Sequence, residues 1–248
     1  MSRPRILVIN PNRSVSMTRA IDSVARAAAP ETEVMTLCVS YGPESIESEA
    51  DAALAAVAVL ECILEHPAYD GYVIACFDDP GLEAARELTT QPVVGIAESA
   101  ARAAAAYTPE DVGVLVVREG VVHRVRDTLA RYACGSQAKY HSLDGSVASL
   151  ARGDDATAQQ FEDAARAAAE AGARAAVLAC AGFGQYARRI AESSGLEVID
   201  GVVEGVRHAT ALIREGHQNH PITPMPFSGI RSHRPVWADK ADRKATLP

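Results

Sequence analysis

The 248-residue sequence contains no apolar run long enough for a membrane span or a secretory h-region. Its first apolar stretch, Ile6-Leu7-Val8-Ile9, follows directly on Met1–Arg5 and gives way to polar residues. No targeting segment is read there, so the cytoplasm is the expected compartment and no membrane partner is expected. Positive charge is also short. There are 24 Lys and Arg against 32 Asp and Glu, a formal net charge of −8. An acidic surface repels a phosphate backbone, so no nucleic-acid partner is expected. The densest basic stretch holds Arg118, His123, Arg124, Arg126 and Arg131. It is interleaved with Glu119 and Asp127 and reads as a solvated helix face. Cysteine occurs five times, as Cys38, Cys62, Cys76, Cys134 and Cys180, but never as CxxC. The odd count and wide spacing argue against a disulfide framework, and the missing pair against a structural zinc. His217 and His220 have no third ligand beside them, so no metal is expected. Gly182-Phe183-Gly184 lacks the GxGxxG spacing of a dinucleotide site.

What the sequence does have is alternation. Short apolar runs at Ile6–Ile9, Glu33–Leu37, Tyr72–Ala75 and Val93–Ile96 are read as strands. Between them, Met17–Ala29, Ser48–Glu65 and Gly81–Leu88 are read as helices. The pattern then restarts. Val112–Val117, Ala138–Ser142, Ala175–Ala179 and Val198–Ile199 are the strands. Val121–Tyr132, Ala156–Ala171, Gln185–Ser193 and Gly205–Glu215 are the helices. Such alternation predicts parallel sheets with helices on both faces.

Three landmarks recur in the same order. Ile6–Asn10 corresponds to Val112–Val117, Tyr72–Cys76 to Val177–Cys180, and Gln91–Glu98 to Leu196–Glu204 with one inserted residue. The expected fold is therefore α/β with two similar lobes, each a parallel sheet flanked by helices, related by a pseudo-twofold with the site in the cleft between them. Residues 1–98 with 205–248 are assigned to the first lobe and 99–204 to the second. His217 to Pro248, with Pro221, Pro224, Pro226 and Pro235 and little periodicity, reads as an extended tail.

Cys76 ends the strand of Val73-Ile74-Ala75-Cys76-Phe77-Asp78-Asp79-Pro80-Gly81, and Cys180 that of Val177-Leu178-Ala179-Cys180-Ala181-Gly182. Open α/β sheets bind ligands at the carboxyl ends of their strands. Each thiol is expected at the start of a helix, where free N–H groups and the dipole favour a thiolate. Alone, either cysteine reads as a small buried apolar residue. As a related pair they suit inversion at a carbon next to a carbonyl. A base takes the proton from one face, an acid returns one to the other, and peptide N–H groups hold the enolate oxygen. That chemistry requires neither a metal nor a pyridoxal cofactor. Cys38, Cys62 and Cys134 lack such a setting and read as packing residues.

These residues resemble a known family. Ile6-Leu7-Val8-Ile9-Asn10-Pro11-Asn12, with Ser14 and Met17-Thr18, is similar to the start of the hydantoin and allantoin racemases of the Asp/Glu/hydantoin racemase superfamily. So are Gly42–Glu47, Ala75–Leu82, Pro92–Glu98, Ala179–Gly182 and Val198–Val202. The resemblance runs from Arg5 to about Glu215. It implies a cofactor-independent racemase with Cys76 and Cys180 as proton donor and acceptor, acting on a small molecule of the 5-substituted hydantoin or allantoin type. It also implies Asn10 near the ligand's polar groups and Ser45 and Ile46 closing over its side chain. Backbone N–H groups of Phe77, Asp78, Ala181 and Gly182 would hold its oxygens. Asn10 has the alternative of capping the turn after its strand. The chain departs from the family at Val116 and Val117, where threonines are usual, at Asp78, where glycine is frequent, and at Phe183, where methionine is frequent. Arg118 is a candidate carboxylate ligand or a plain surface residue. Assembly into a homo-oligomer is expected. The alternatives are an amino-acid racemase, a decarboxylase or a cis–trans isomerase on the same scaffold, and a two-lobed small-molecule binding protein.

Overall fold

The computed structural model describes residues 3–135, 137–144 and 155–221. Most of the expected tail, from residue 222 on, lies outside the described residues. In the first half, β1 (Arg5–Asn10), β2 (Glu33–Cys38), β3 (Gly71–Ile74) and β4 (Val93–Gly95) form a four-stranded sheet in the order β2-β1-β3-β4. In the second, β5 (Val112–Val116), β6 (Lys139–Ser142), β7 (Ala175–Leu178) and β8 (Glu197–Asp200) form another in the order β6-β5-β7-β8. Every pairing in both sheets is parallel. The helices are α1 (Val15–Ala28), α2 (Glu49–Glu65), α3 (Leu82–Arg86), α4 (Ile96–Ala104), α5 (Val122–Arg131), α6 (Asp155–Glu170), α7 (Ala187–Ser194) and α8 (Gly201–Arg214). The expected two-lobed α/β fold is the observed one.

The strands are apolar on both faces because both faces are covered. Successive side chains point to opposite sides of a sheet, so Ile6 and Val8 enter a central core while Leu7 and Ile9 enter an outer one with α2. In the second sheet Val112, Val114 and Val116 join the same central core, and Leu115 faces an outer core with Phe161 of α6. The two lobes therefore share one apolar interior, lined by α1, α4, α5 and α8, and each keeps a private core outside it. The expected lobe boundaries, 98/99 and 204/205, fall inside α4 and α8. Helix α8 packs on α1, α4 and β3 of the first half, and α4 also reaches β7 and β8 of the second.

Two elements differ from the expectation. Helix α4 is absent from the sequence reading, which ended at the strand Val93–Ile96. Helix α8 begins at Gly201, four residues before the expected Gly205. Gly205 lies inside α8 because a Cβ there would stand 3.0 Å from Val73 Cγ1. Close helix–sheet contact offsets the poor helix propensity of glycine at that position.

Candidate active site

Equivalent hydrogen bonds place the two cysteines. Ala75 N donates to Ile9 O of β1 at 2.8 Å, and Ala179 N to Leu115 O of β5 at 3.0 Å. Each cysteine follows at once, beyond the carboxyl end of the second central strand of its sheet. A tight turn then closes on each, with Asp79 N donating to Cys76 O and Phe183 N to Cys180 O. Both thiols line one pocket, with Ala75, Phe77, Asp78, Ala179 and Ala181 around them. The pocket encloses about 670 Å³ of space free of protein atoms, part of it open to solvent. Its remaining walls come from the β1–α1 turn (Asn12), α1 (Met17), the segment before α2 (Ile46, Glu47), and the second lobe (Val117, Val121, Arg124, Val125). The walls are mostly apolar, as small-molecule sites are, with few polar groups to orient a ligand.

The expected site residues divide. Cys76, Cys180, Ile46, Phe77, Asp78, Val117 and Ala181 meet at the pocket. Asn10 is fully buried beside it, and its Nδ2 donates to Asn12 Oδ1 (2.9 Å), Thr18 Oγ1 (3.0 Å) and Ser14 O. It holds the β1–α1 turn in shape, and Asn12 is the asparagine that lines the pocket. Ser45 donates its hydroxyl to Glu47 Oε1 at 3.1 Å. Gly182 packs against α1, where a Cβ would lie 2.5 Å from Met17 Sδ.

The expectation of thiols lowered by helix starts is corrected by the structure. Cys180 leads into a 3-10 segment, Ala181–Tyr186, and Cys76 into a turn before the short α3. Burial dominates both. It pushes the Cys180 thiol up to about 11 and Cys76 well above the ordinary range. The N–H two residues on, of Asp78 for Cys76 and of Gly182 for Cys180, donates to each sulfur and works the other way. Those two N–H groups thus face the sulfurs, not a substrate oxygen.

Arg124 is the main residue that sequence reasoning missed. It was read as part of a solvated face, yet its side chain is only 9% exposed. Its Nη2 lies 2.9 Å from Asp78 Oδ2 and its Nε 3.1 Å from Glu49 Oε1. The signal was helical spacing: residue 124 shares the inward arc of α5 with Val125 and Thr128. Arg118 is paired with a carboxylate of the protein itself, Glu47 at 2.7 Å, and is not among the residues that line the pocket. Together these two arginines tie the segment before α2, and the start of α2 itself, to the second lobe. Among the described residues there is no cluster of three or more His, Cys, Asp or Glu suited to hold a metal ion, and no helix long and apolar enough to cross a membrane.

Comparison with known proteins places the chain in a family. The family described as Asp/Glu/Hydantoin racemase matches residues 6–209. The chain belongs to that family. A hydantoin racemase of Paenarthrobacter aurescens is 38% identical over 223 residues, 86% of this chain and 93% of its own length. One from Pseudomonas sp. (strain NS671) is 35% identical over 228 residues, 90% of this chain and 91% of its own. The solved allantoin racemase from Klebsiella pneumoniae superposes with a TM-score of 0.84 at 35% identity, covering 91% of this chain and 96% of that one. The chain is accordingly an isomerase of the racemase class. Glutamate racemase from Francisella tularensis subsp. tularensis SCHU S4, at 13% identity and a TM-score of 0.63, shares the fold.

Proposed function

We propose that the chain racemises a 5-substituted hydantoin or allantoin, with Cys76 and Cys180 as acid and base on opposite faces of the ring. The observation that carries this reading is that two thiols, from equivalent strand ends of the two lobes, line one small pocket. One sulfur, as thiolate, takes the proton from C5. The electron pair moves onto the adjacent carbonyl oxygen as an enolate. The other sulfur, as thiol, returns a proton to the opposite face, and the reverse reaction exchanges the roles. Phe77 and Ala181 offer their peptide N–H groups to the enolate oxygen. Met17, Ile46 and Val117 give the C5 substituent an apolar wall.

The raised thiols suit a carbon acid. A thiolate whose conjugate acid ionises near 11 is a strong base, although little of it is present at neutral pH. Loss of optical rotation of an enantiopure hydantoin, and of allantoin, tests the proposal. Cys76→Ser and Cys180→Ser are each expected to slow racemisation by about 10³-fold, since a serine hydroxyl is a far weaker acid. Near-normal turnover by either variant contradicts the assignment. Release of carbon dioxide from an arylmalonate, without racemisation, would place the chain with decarboxylases of the same fold.

A further inference from the structure

The two cysteines share a backbone frame but not a charge environment. The residue two positions after Cys76 is Asp78, whereas Gly182 stands in that place after Cys180. Each residue gives its N–H to the sulfur, but only Asp78 adds a carboxylate at the pocket wall. That carboxylate is gripped across the lobe boundary by Arg124, whose guanidinium is shared with Glu49. Arg131 fixes the same loop, donating from Nη2 to Asp78 O at 2.8 Å.

We propose that Asp78 and Arg124 are a positioning pair that makes the two thiols chemically unequal, so that Cys180 is the sulfur that gives up its proton first. The inference rests on the two-thiol reading. The acidic groups that act on Cys76 are Asp78 and Asp79 on its own loop, the latter turned to the start of α4, and Cys180 from the other lobe. Those facing Cys180 are Asp200 on β8 and, more weakly, Asp78. Glu47, the other charged carboxylate at the pocket, is held by Arg118. Asp78 disfavours a second negative charge beside it, and Arg124 limits that effect by sitting on its Oδ2. Burial with the neighbouring Glu49 raises Asp78 itself, while Arg124 and Arg131 hold it down. Arg124 therefore favours the ionised carboxylate as well as fixing its position.

The test is alkylation of the intact protein by iodoacetamide, with the rates at Cys76 and Cys180 read separately by peptide mass spectrometry over a pH series. In the unaltered chain Cys180 is expected to react faster. Asp78→Asn should speed Cys76 about tenfold at fixed pH, with a smaller change at Cys180. Arg124→Gln should slow Cys76 by about tenfold, and Arg124→Lys, which keeps the charge, should stay near the starting rate. The double variant Asp78→Asn/Arg124→Gln leaves no unpaired charge at the wall, and its Cys76 rate should return to within about threefold of the start. A merely structural role predicts losses that add and do not cancel. Faster reaction at Cys76 than at Cys180 in the unaltered chain overturns the proposal. So does a Cys76-to-Cys180 ratio that neither single variant moves by more than about twofold. Alkylation needs no turnover, so it fails independently of the two-thiol reading, which the serine variants judge.

Discussion

The two lobes match strand for strand, yet they cap their equivalent helices from opposite directions. In the first lobe Gly95 ends β4, paired with Ile74, and α4 starts there. The carboxylate that caps α4 comes from the loop after Cys76. Asp79 Oδ1 accepts from Ala97 N (3.0 Å) and Oδ2 from Glu98 N (2.8 Å) and the Tyr132 hydroxyl (2.8 Å). In the second lobe Asp200 ends β8, paired with Leu178, and caps α8 itself by accepting from Val202 N at 2.8 Å. The glycine is now in the loop. A Cβ at Gly95 would lie 2.1 Å from Asp79 Cγ, and one at Gly184 would lie 2.0 Å from Asp200 Oδ2. A duplicated frame therefore keeps the function, a buried carboxylate at a helix start beneath each cysteine loop, while letting strand and loop trade places. At the third position after the cysteine, lobe one places Asp79, and lobe two places Phe183, which packs on Phe161 at 4.5 Å.

The sharpest way to break this comparison is to impose the second lobe's arrangement on the first. Gly95→Asp should cost about 3 kcal/mol in urea unfolding, because the new side chain occupies the space of Asp79. Adding Asp79→Gly should recover more than half of that loss. Residue 79 has φ +47°, where glycine is at ease, and the new aspartate takes over the cap. If the double variant is as unstable as the sum of the singles, the trade of places is not an equivalence.

A second effect is read in pH. Burial raises both Asp79 and Asp200 from 3.8 to about 6, despite the N–H groups that each accepts from. Between those values the native state holds more protons than the unfolded chain, so both groups make stability fall as pH rises from about 4 to about 6. Asp79→Asn and Asp200→Asn should each flatten that decline relative to the unaltered chain. A difference between variant and unaltered protein that stays constant across this range contradicts the raised values. The smallest expected effect is at Arg118→Ala. Its pair with Glu47 is part-exposed, at 43% and 31%, so unfolding should change by about 0.5 kcal/mol or less. A larger change would mean that this tie carries the segment over the pocket.

What was legible in the sequence was whatever had a local cause. Ile6–Ile9 and Ala175–Ala179 show as strands because burial on both faces leaves a continuous apolar run. The cysteines show as a pair because each follows such a run. Helix α4 was invisible because its cap is not next to it: Gly95 has no side chain, and Asp79 is distant in sequence. Asn10 takes the second of its two readings, bracing the turn after β1, because the side chains of Asn10 and Asn12 bond one another and only the fold decides which of the two lines the pocket. Arg124 was hidden for a similar reason. Its two carboxylates lie on the other lobe, so its neighbours in sequence suggested solvent. The lowered thiols expected from helix starts fail because the walls that close the pocket also desolvate the sulfurs.

The most direct measurement of the two-sulfur account follows one enantiomer of a 5-substituted hydantoin in deuterium oxide, stopped at early conversion. The two enantiomers are then separated and their isotope content determined. If opposed thiols act on the two faces, the product carries deuterium at C5 and the remaining starting enantiomer does not. Equal deuterium in both, or product that retains the original hydrogen, would mean that a single group serves both faces and would contradict the account.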